Sequence, residues 1–466
     1  MRGFTSASGT CGAWVWNSGS LNKMCWLLAL SIATSVAYCQ STQFKIVYSF
    51  QAAPDGGSPQ AAVVFGKNGA LFGTTEGGGT LNDGTVFELK PSAGSVWSES
   101  VLHNFGASGD GAFPVASLVI GPSGSLYGTT QSGGHNAGTI FQLSRPSSGE
   151  DTWVESVLYT FGYTPTQNFI PNGLVMGSAG TLYTTTQGQA LDGNNQFGDV
   201  VALSAPTSPG GAWSGTVIFE FQMPGAPAGL APFAGPVLEG ASLIGTSSLS
   251  GNNGCLVQGC GSVYELTPTK SAGGAITWTE TTLYTFTGPP NDGANSYAPV
   301  SIGPGGVLYG TTFLGGSGGC VIATVGLTGC GTVFRLSPPA SPDAAWTETV
   351  LYSFTGSNGD GAYPMAGVTV GANGNLYGTT PNGGEATSGS LCNYEGVSGC
   401  GTVFELTPPT SQGGVWTERV LHSFSGQGGD GANPMAGLTE GSQGALYGTT
   451  AAGGTQGRGT IFSLQP

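Results

Sequence analysis

The sequence predicts an all-β protein, a seven-bladed β-propeller of four-stranded blades whose last blade is closed by the N-terminal strand. Three observations predict it. A Leu-Tyr-Gly-Thr-Thr-like phrase occurs seven times, a Gly-Thr-Val-Phe-like phrase follows each copy in step, and one strand-like segment near the start matches a strand lacking at the end. Phrases recurring about 55 to 70 residues apart mark a repeat architecture, in which one supersecondary unit buries its faces against its neighbours.

The first phrase lies at 71–75, 126–130, 182–186, 243–247, 308–312, 376–380 and 446–450. The second lies at 84–87, 138–141, 198–201, 261–264, 331–334, 401–404 and 459–462, and each copy reads as a strand. A Trp-x-Glu signal comes next, at Trp97/Glu99, Trp153/Glu155, Trp278/Glu280, Trp346/Glu348 and Trp416/Glu418, while Trp213 keeps the aromatic without the acid. It runs into Val-Leu-Tyr-Ser-Phe-like segments with near-alternating polarity, a third strand signal. A turn such as Asp-Gly-Ala-x-Pro and a segment like Pro434–Leu438 complete four short strands per repeat. Four strands with turn chemistry at every junction fit a propeller blade.

The ends specify closure. Six outer strands follow a Gly-Thr-Val-Phe strand, and a seventh match, Ile46–Phe50, stands alone before the first repeat. Residues 43–50 are therefore expected to pair beside 459–464, leaving no open edge between first and last blade. The expected organisation is a leader at 1–39 and one propeller over 40–466. Its blades fall at about 59–106, 113–162, 170–222, 232–287, 299–355, 364–425 and 434–464.

Composition agrees. With 85 Gly and only 8% charged residues the chain could pass for disordered, but 10% aromatic content and regular apolar runs supply a core. Residues 1–39 carry Arg2 and Lys23, no acid, and an apolar run from Met24 to Cys39 too short to span a bilayer, the pattern of a signal peptide. Ser35-Val36-Ala37 fits a cleavage site, and bulky Tyr38 argues against lipid anchoring at Cys39. Removing the leader leaves eight basic residues against 25 acidic, a net charge of −17. Such a chain is a poor partner for nucleic acid or anionic membranes, and a secreted or surface-held monomer with no membrane span is expected.

Most motifs read as architecture. The glycine of Leu-Tyr-Gly-Thr-Thr lacks the lysine and helix of a phosphate loop, so it is expected to let backbones crowd near the axis or to mark bulges. The threonines suit strands. Asp110, Asp292, Asp360 and Asp430, with Asp55 more loosely, precede Gly at one register and are expected to cap turns; a ring of them is also the candidate site for calcium, the sole cofactor considered. His103 and His422 fall where other repeats place Tyr48, Tyr159, Tyr284 and Tyr352, so they read as packed aromatics. His135 has no counterpart in other repeats and is a candidate ligand contact.

Six cysteines outside the leader fall as Cys255/Cys260, Cys320/Cys330 and Cys392/Cys400, each pair in the loop between second and third strands of blades four to six. A shared register in an exported chain predicts three local disulfides. These long, clasped loops, 249–260, 314–330 and 382–400, are the leading contact surface, since propellers bind through loops. Phe197, Phe233 and Tyr394 join His135 as candidate contacts; no catalytic residue is nominated.

The phrases Leu-Tyr-Gly-Thr-Thr, Gly-Thr-Val-Phe-x-Leu and Trp-x-Glu-x-Val-Leu-Tyr-Ser-Phe together resemble the bacterial GloVer tandem repeat of choice-of-anchor proteins, over residues 43 to 464, with a kelch-like layout. The resemblance implies export and an extracellular setting but no activity. Such proteins often carry a C-terminal sorting tail; Gly459–Pro466 reads as a blade strand instead, which favours free secretion. Three functions follow: non-catalytic recognition of an extracellular protein or glycan through blades four to six; a glycan hydrolase or lyase drawing on Glu150, Asp151, Asp192, Asp199 or Glu395; and purely structural surface packing.

Overall fold

A computed structural model describes residues 43–466 apart from 93–96, 135–136, 146–151, 165–166, 191–196, 209–210, 222–230, 250–254, 256–258, 323–325, 342–343, 386–391 and 412. Seven antiparallel sheets form the blades of a ring. Blade one is typical, with strands Val64–Phe65, Leu71–Thr75, Thr85–Pro91 and Trp97–Asn104 paired in that order. Blade three carries a fifth, two-residue strand, Tyr163–Thr164. Blade seven takes its outer strand from Gln43–Ser49, which pairs antiparallel with Thr460–Gln465 from Gln43↔Gln465 to Ser49↔Thr460. Closure through the first described strand is thus a feature of the fold.

The repeated phrases are the chemistry of the seams between blades. The penultimate residue of each Leu-Tyr-Gly-Thr-Thr-like phrase is a threonine that donates its Oγ1 to a carbonyl in or just before the inner strand of the next blade. The series runs from Thr74 to Ala116 O at 3.1 Å, through Thr311 to Ala366 O at 2.8 Å, to Thr449 and Ala61 O at 3.0 Å, which shuts the ring. The second threonine stays in its own blade, as in the 2.8 Å contact between the Thr75 and Thr85 hydroxyls. Both are almost fully buried, so each polar group has to find a partner where water cannot reach.

The glycine just before them corrects the expectation of crowded backbone. Gly73 lies opposite Phe87 across the ladder, and a Cβ on it would stand 2.4 Å from the Phe87 ring; Gly448 relates to Phe462 in the same way. The missing side chain makes room for an aromatic ring. That ring then meets the outer-strand phenylalanine of the preceding blade edge-to-face, as Phe50 meets Phe87 at 5.3 Å and Phe354 meets Phe404 at 5.1 Å. Such a pair contributes about 0.5–1.5 kcal/mol beyond the burial of its surface. The bulges lie elsewhere, in the pairing of third and fourth strands, for example between Val86 and Phe87.

Blade three confirms the rule by departing from it twice at once. Val201 stands where the aromatic belongs, and its ladder partner is Thr184 in place of glycine. With no ring to accommodate, a side chain is tolerated.

Candidate functional site

Five of the seven seams carry a carboxylate turn at the rim, capped by Asp55, Asp110, Asp292, Asp360 and Asp430. Asp360 Oδ1 accepts from Gly361 N at 2.6 Å, and its Oδ2 accepts from Thr355 N at 2.7 Å, Thr355 Oγ1 at 2.8 Å and Tyr352 Oη at 3.1 Å. Asp292 repeats this with Thr287 and Tyr284, and Asp55 with Gln51 and Tyr48. His103 and His422 take the tyrosine's place, their Nε2 atoms 3.0 and 3.2 Å from Asp110 and Asp430. Both rings pack edge-to-face on the phenylalanine two residues on, as the tyrosines do. The aspartates are turn caps on separate seams, and among the described residues no three His, Cys, Asp or Glu side chains gather as metal ligands.

The Trp-x-Glu acid of the following blade faces the same turn. One carboxyl oxygen each of Glu99, Glu155, Glu348 and Glu418 is buried without a partner. Burial, and then the neighbouring aspartate, pushes Glu99, Glu155 and Glu418 up to about 7 and Glu348 up to about 8. In blade seven Phe44 occupies this position, and its ring stacks on His422.

The disulfides form as the sequence pairs them: Cys255–Cys260, Cys320–Cys330 and Cys392–Cys400. The last clasps a hairpin of Asn393–Tyr394 against Val397–Ser398 and so fixes where Tyr394 is presented.

That presentation is at a large axial cavity of about 1360 Å³, lined by residues from all seven blades, mostly where the chain enters each inner strand. On the side of blades four to six Phe233, Tyr297, Phe313 and Tyr394 line it, with Tyr363 packed behind them. Phe233 meets Tyr297 at 4.9 Å between ring centres, Tyr297 meets Phe313 at 5.0 Å, Phe313 meets Tyr363 at 5.1 Å, and Tyr363 meets Tyr394 at 5.6 Å. The two ends of this ridge are open, Phe233 being 40% and Tyr394 44% exposed, while Tyr363 is fully buried. Burial, with Tyr394 and Glu395 adding, pushes the Tyr363 phenol up to about 12, and burial raises Tyr297 as well, so both stay protonated. Tyr363 also holds a left-handed backbone, φ 58°, a conformation a bulky residue rarely adopts.

The remaining wall is mostly aliphatic, with carboxamides set into it. Gln60, Gln131, Asn172, Gln187, Asn382 and Asn433 line it. Asn172 is buried and tied in place: Nδ2 donates to Thr185 Oγ1 at 3.1 Å and Pro232 O at 2.6 Å, and Oδ1 accepts from Gln187 Nε2 at 3.1 Å. Gln60 donates to Glu76, which also accepts from Ser58.

Of the contacts expected from sequence, Phe233 and Tyr394 come together as the two ends of the ridge. Phe197 instead packs against the cluster of Val200, Phe221 and Tyr264. His135 lies outside the described residues, as do Glu150, Asp151 and Asp192. Asp199, pushed up to about 6 by burial and by Glu220, stands on blade three, and Glu395 on the blade-six hairpin; neither lines the cavity. Tyr297, Phe313 and Tyr363 were missed from sequence. Phe313 had a signal, because the residue after each Gly-Thr-Thr varies from Glu76 through Gln131 to Phe313 inside an otherwise repeated phrase.

The Gloeobacter/Verrucomicrobia repeat family model matches residues 33–255 and 150–392. The chain belongs to that family. No curated protein matches it. Among solved structures the repeat ring is similar to an ulvan lyase of polysaccharide lyase family 25, at 9% identity and TM-score 0.47, covering 89% of this chain and 94% of that one. It is also similar to an α-L-arabinanase of Penicillium chrysogenum complexed with arabinobiose, at 15% identity and TM-score 0.39, covering 91% and 97%. A luciferin-regenerating enzyme matches at 12% identity and TM-score 0.39, covering 91% and 96%. The family's repeat accounts for the seams; the ridge is built from positions where its copies differ. Among the described residues no helix is long and apolar enough to cross a membrane.

Proposed function

We propose that this protein is an extracellular, non-catalytic recognition propeller that binds a glycan at the axial mouth on the side of blades four to six. The observation that carries the reading is the run of packed aromatic rings from Phe233 to Tyr394, four of which line one cavity together with several carboxamides. Aromatic faces take the apolar C–H faces of sugar rings and amides take their hydroxyls, the mix of apolar wall and few oriented polar groups that ligand sites use. The ridge is held before any ligand arrives, by the disulfide hairpin at one end and by ring-on-ring packing along its length, so little ordering entropy opposes binding. Export accords with three disulfides, which persist in oxidising compartments. A binding role is favoured over hydrolysis or elimination because the described carboxylates a hydrolase or lyase could draw on, Asp199 and Glu395, stand on different blades and are not among the lining residues.

Hydrogen exchange of the full chain with and without a binding oligosaccharide tests this. Protection is expected in 314–330 and 382–400, and Tyr394→Ala and Phe233→Ala should each weaken binding about tenfold, or ~1.4 kcal/mol, with the melting temperature unchanged. Protection confined to the opposite face of the ring would overturn the reading.

A further inference from the structure

The charge of this chain and the charge of its cavity disagree. The sequence carries 25 acidic and 10 basic residues, yet the axial cavity, with residues from all seven blades in its wall, has no Asp, Glu, Lys or Arg among its described lining residues. Its polar groups are side-chain amides, hydroxyls and backbone. The nearest acid to enter the hydrogen bonding of the wall is Glu76, and its Oε2 is already occupied by Gln60 and Ser58.

We infer that the ligand of this site is an uncharged oligosaccharide, several sugar units long; the inference rests on the glycan-recognition reading above. A uronate or sulfated chain entering the cavity would lose its hydration and meet no cation in return, and an unpaired buried charge is among the costliest events in binding. It would also approach through the field of a strongly acidic protein and come to rest beside Glu76. A sugar hydroxyl faces no such cost. It donates and accepts at once, and a carboxamide offers both functions without charge.

The lining is divided to match. Asn172 and Gln187 spend their amides on each other and on the blade seam, which sets the wall rigidly. Gln131 and Asn382, from blades two and six, make no side-chain hydrogen bond to the described protein, nor do the Tyr297 and Tyr394 hydroxyls. Four groups are thus left to meet hydroxyls beside the aromatic rings. The cavity, at about 1360 Å³, exceeds the about 300–1,000 Å³ that encloses a compact small molecule, which is why an oligomer is inferred over a monosaccharide.

The test is calorimetric titration of the full chain with cellohexaose, xylohexaose and mannohexaose, and with hexagalacturonate as the charged counterpart, at low and high salt. At least one neutral hexasaccharide is expected to bind about tenfold or more tighter than hexagalacturonate, with an affinity that changes less than about twofold between the two salt conditions, because no ion pair is there to be screened. Tyr394→Ala should reduce that affinity about tenfold and Tyr394→Phe much less, with thermal melts confirming that both variants fold. If hexagalacturonate binds best and Tyr394→Ala abolishes it, glycan recognition at the ridge stands and the uncharged class is overturned. If no hexasaccharide binds, or binding ignores Tyr394→Ala, the recognition reading itself falls and this inference with it.

Discussion

The seams between blades and the axial mouth are made from the same repeats, yet their chemistry is opposite. At the seams carboxylates recur and are buried: Asp292 and Asp360 cap their turns, and Glu348 and Glu418 press against them from the next blade. At the mouth no charged side chain lines the cavity among the described residues, and aromatic rings replace one another from blade to blade. Stability is therefore distributed around the rim in equivalent portions, while selectivity is concentrated where the portions stop being equivalent. A change at a seam should cost folding and spare the ligand; a change at the mouth should do the reverse.

The largest break in that contrast should come from Asp360→Ala. It removes the acceptor for Thr355 N, Thr355 Oγ1, Tyr352 Oη and Gly361 N at once, leaving the buried Gly361 N and the half-buried Tyr352 Oη unpaired, for about 3–5 kcal/mol of lost stability by chemical denaturation. A loss below about 1 kcal/mol would show that the turn holds without its cap.

Next in size is the paired change Cys392→Ser and Cys400→Ser, which opens an eight-residue separation and should cost roughly 2–3 kcal/mol, read in the same denaturation curve. Here stability and ligand presentation are coupled, because the hairpin it frees carries Tyr394. Ligand affinity should fall with stability here; affinity unchanged in the open loop would show that the ridge positions Tyr394 by ring packing alone.

The smallest effect is a pH dependence confined to the seams. Glu99, Glu155, Glu348 and Glu418 bind their protons more tightly in the folded ring than in the unfolded chain, whose ordinary value is 4.5. Their stabilising contribution is complete below that value and is lost as pH rises through about 7 to 8. The acids facing them are Asp55, Asp110, Asp292 and Asp360, with His103 opposing the shift at Glu155. Melting temperature should fall between pH 5 and pH 9, and Glu348→Gln should shrink that fall. Equal slopes in wild type and variant would remove Glu348 as a contributor.

The seams were legible in the sequence and the mouth largely was not, for a physical reason. A residue that recurs at every seam announces its register, so strand order, closure by residues 43–49 and the three cystines could be read from spacing alone. Contacts across a seam are different. Thr74 finds its partner 42 residues away, and nothing local marks it, so its role as a lock was hidden behind its strand propensity. The ridge lies further out of reach, since Phe233 and Tyr297 share one register while Phe313 and Tyr363 stand at two others, and they become neighbours only when the blades pack.

The threonine locks all point one way around the ring, each blade donating forward and accepting from behind. A unit with its donor on one edge and its acceptor on the other is a directional monomer, like a brick with a tongue and a groove. The ring then closes by the same bond that builds it, since the last blade's donor, Thr449, meets the first blade's acceptor, Ala61 O.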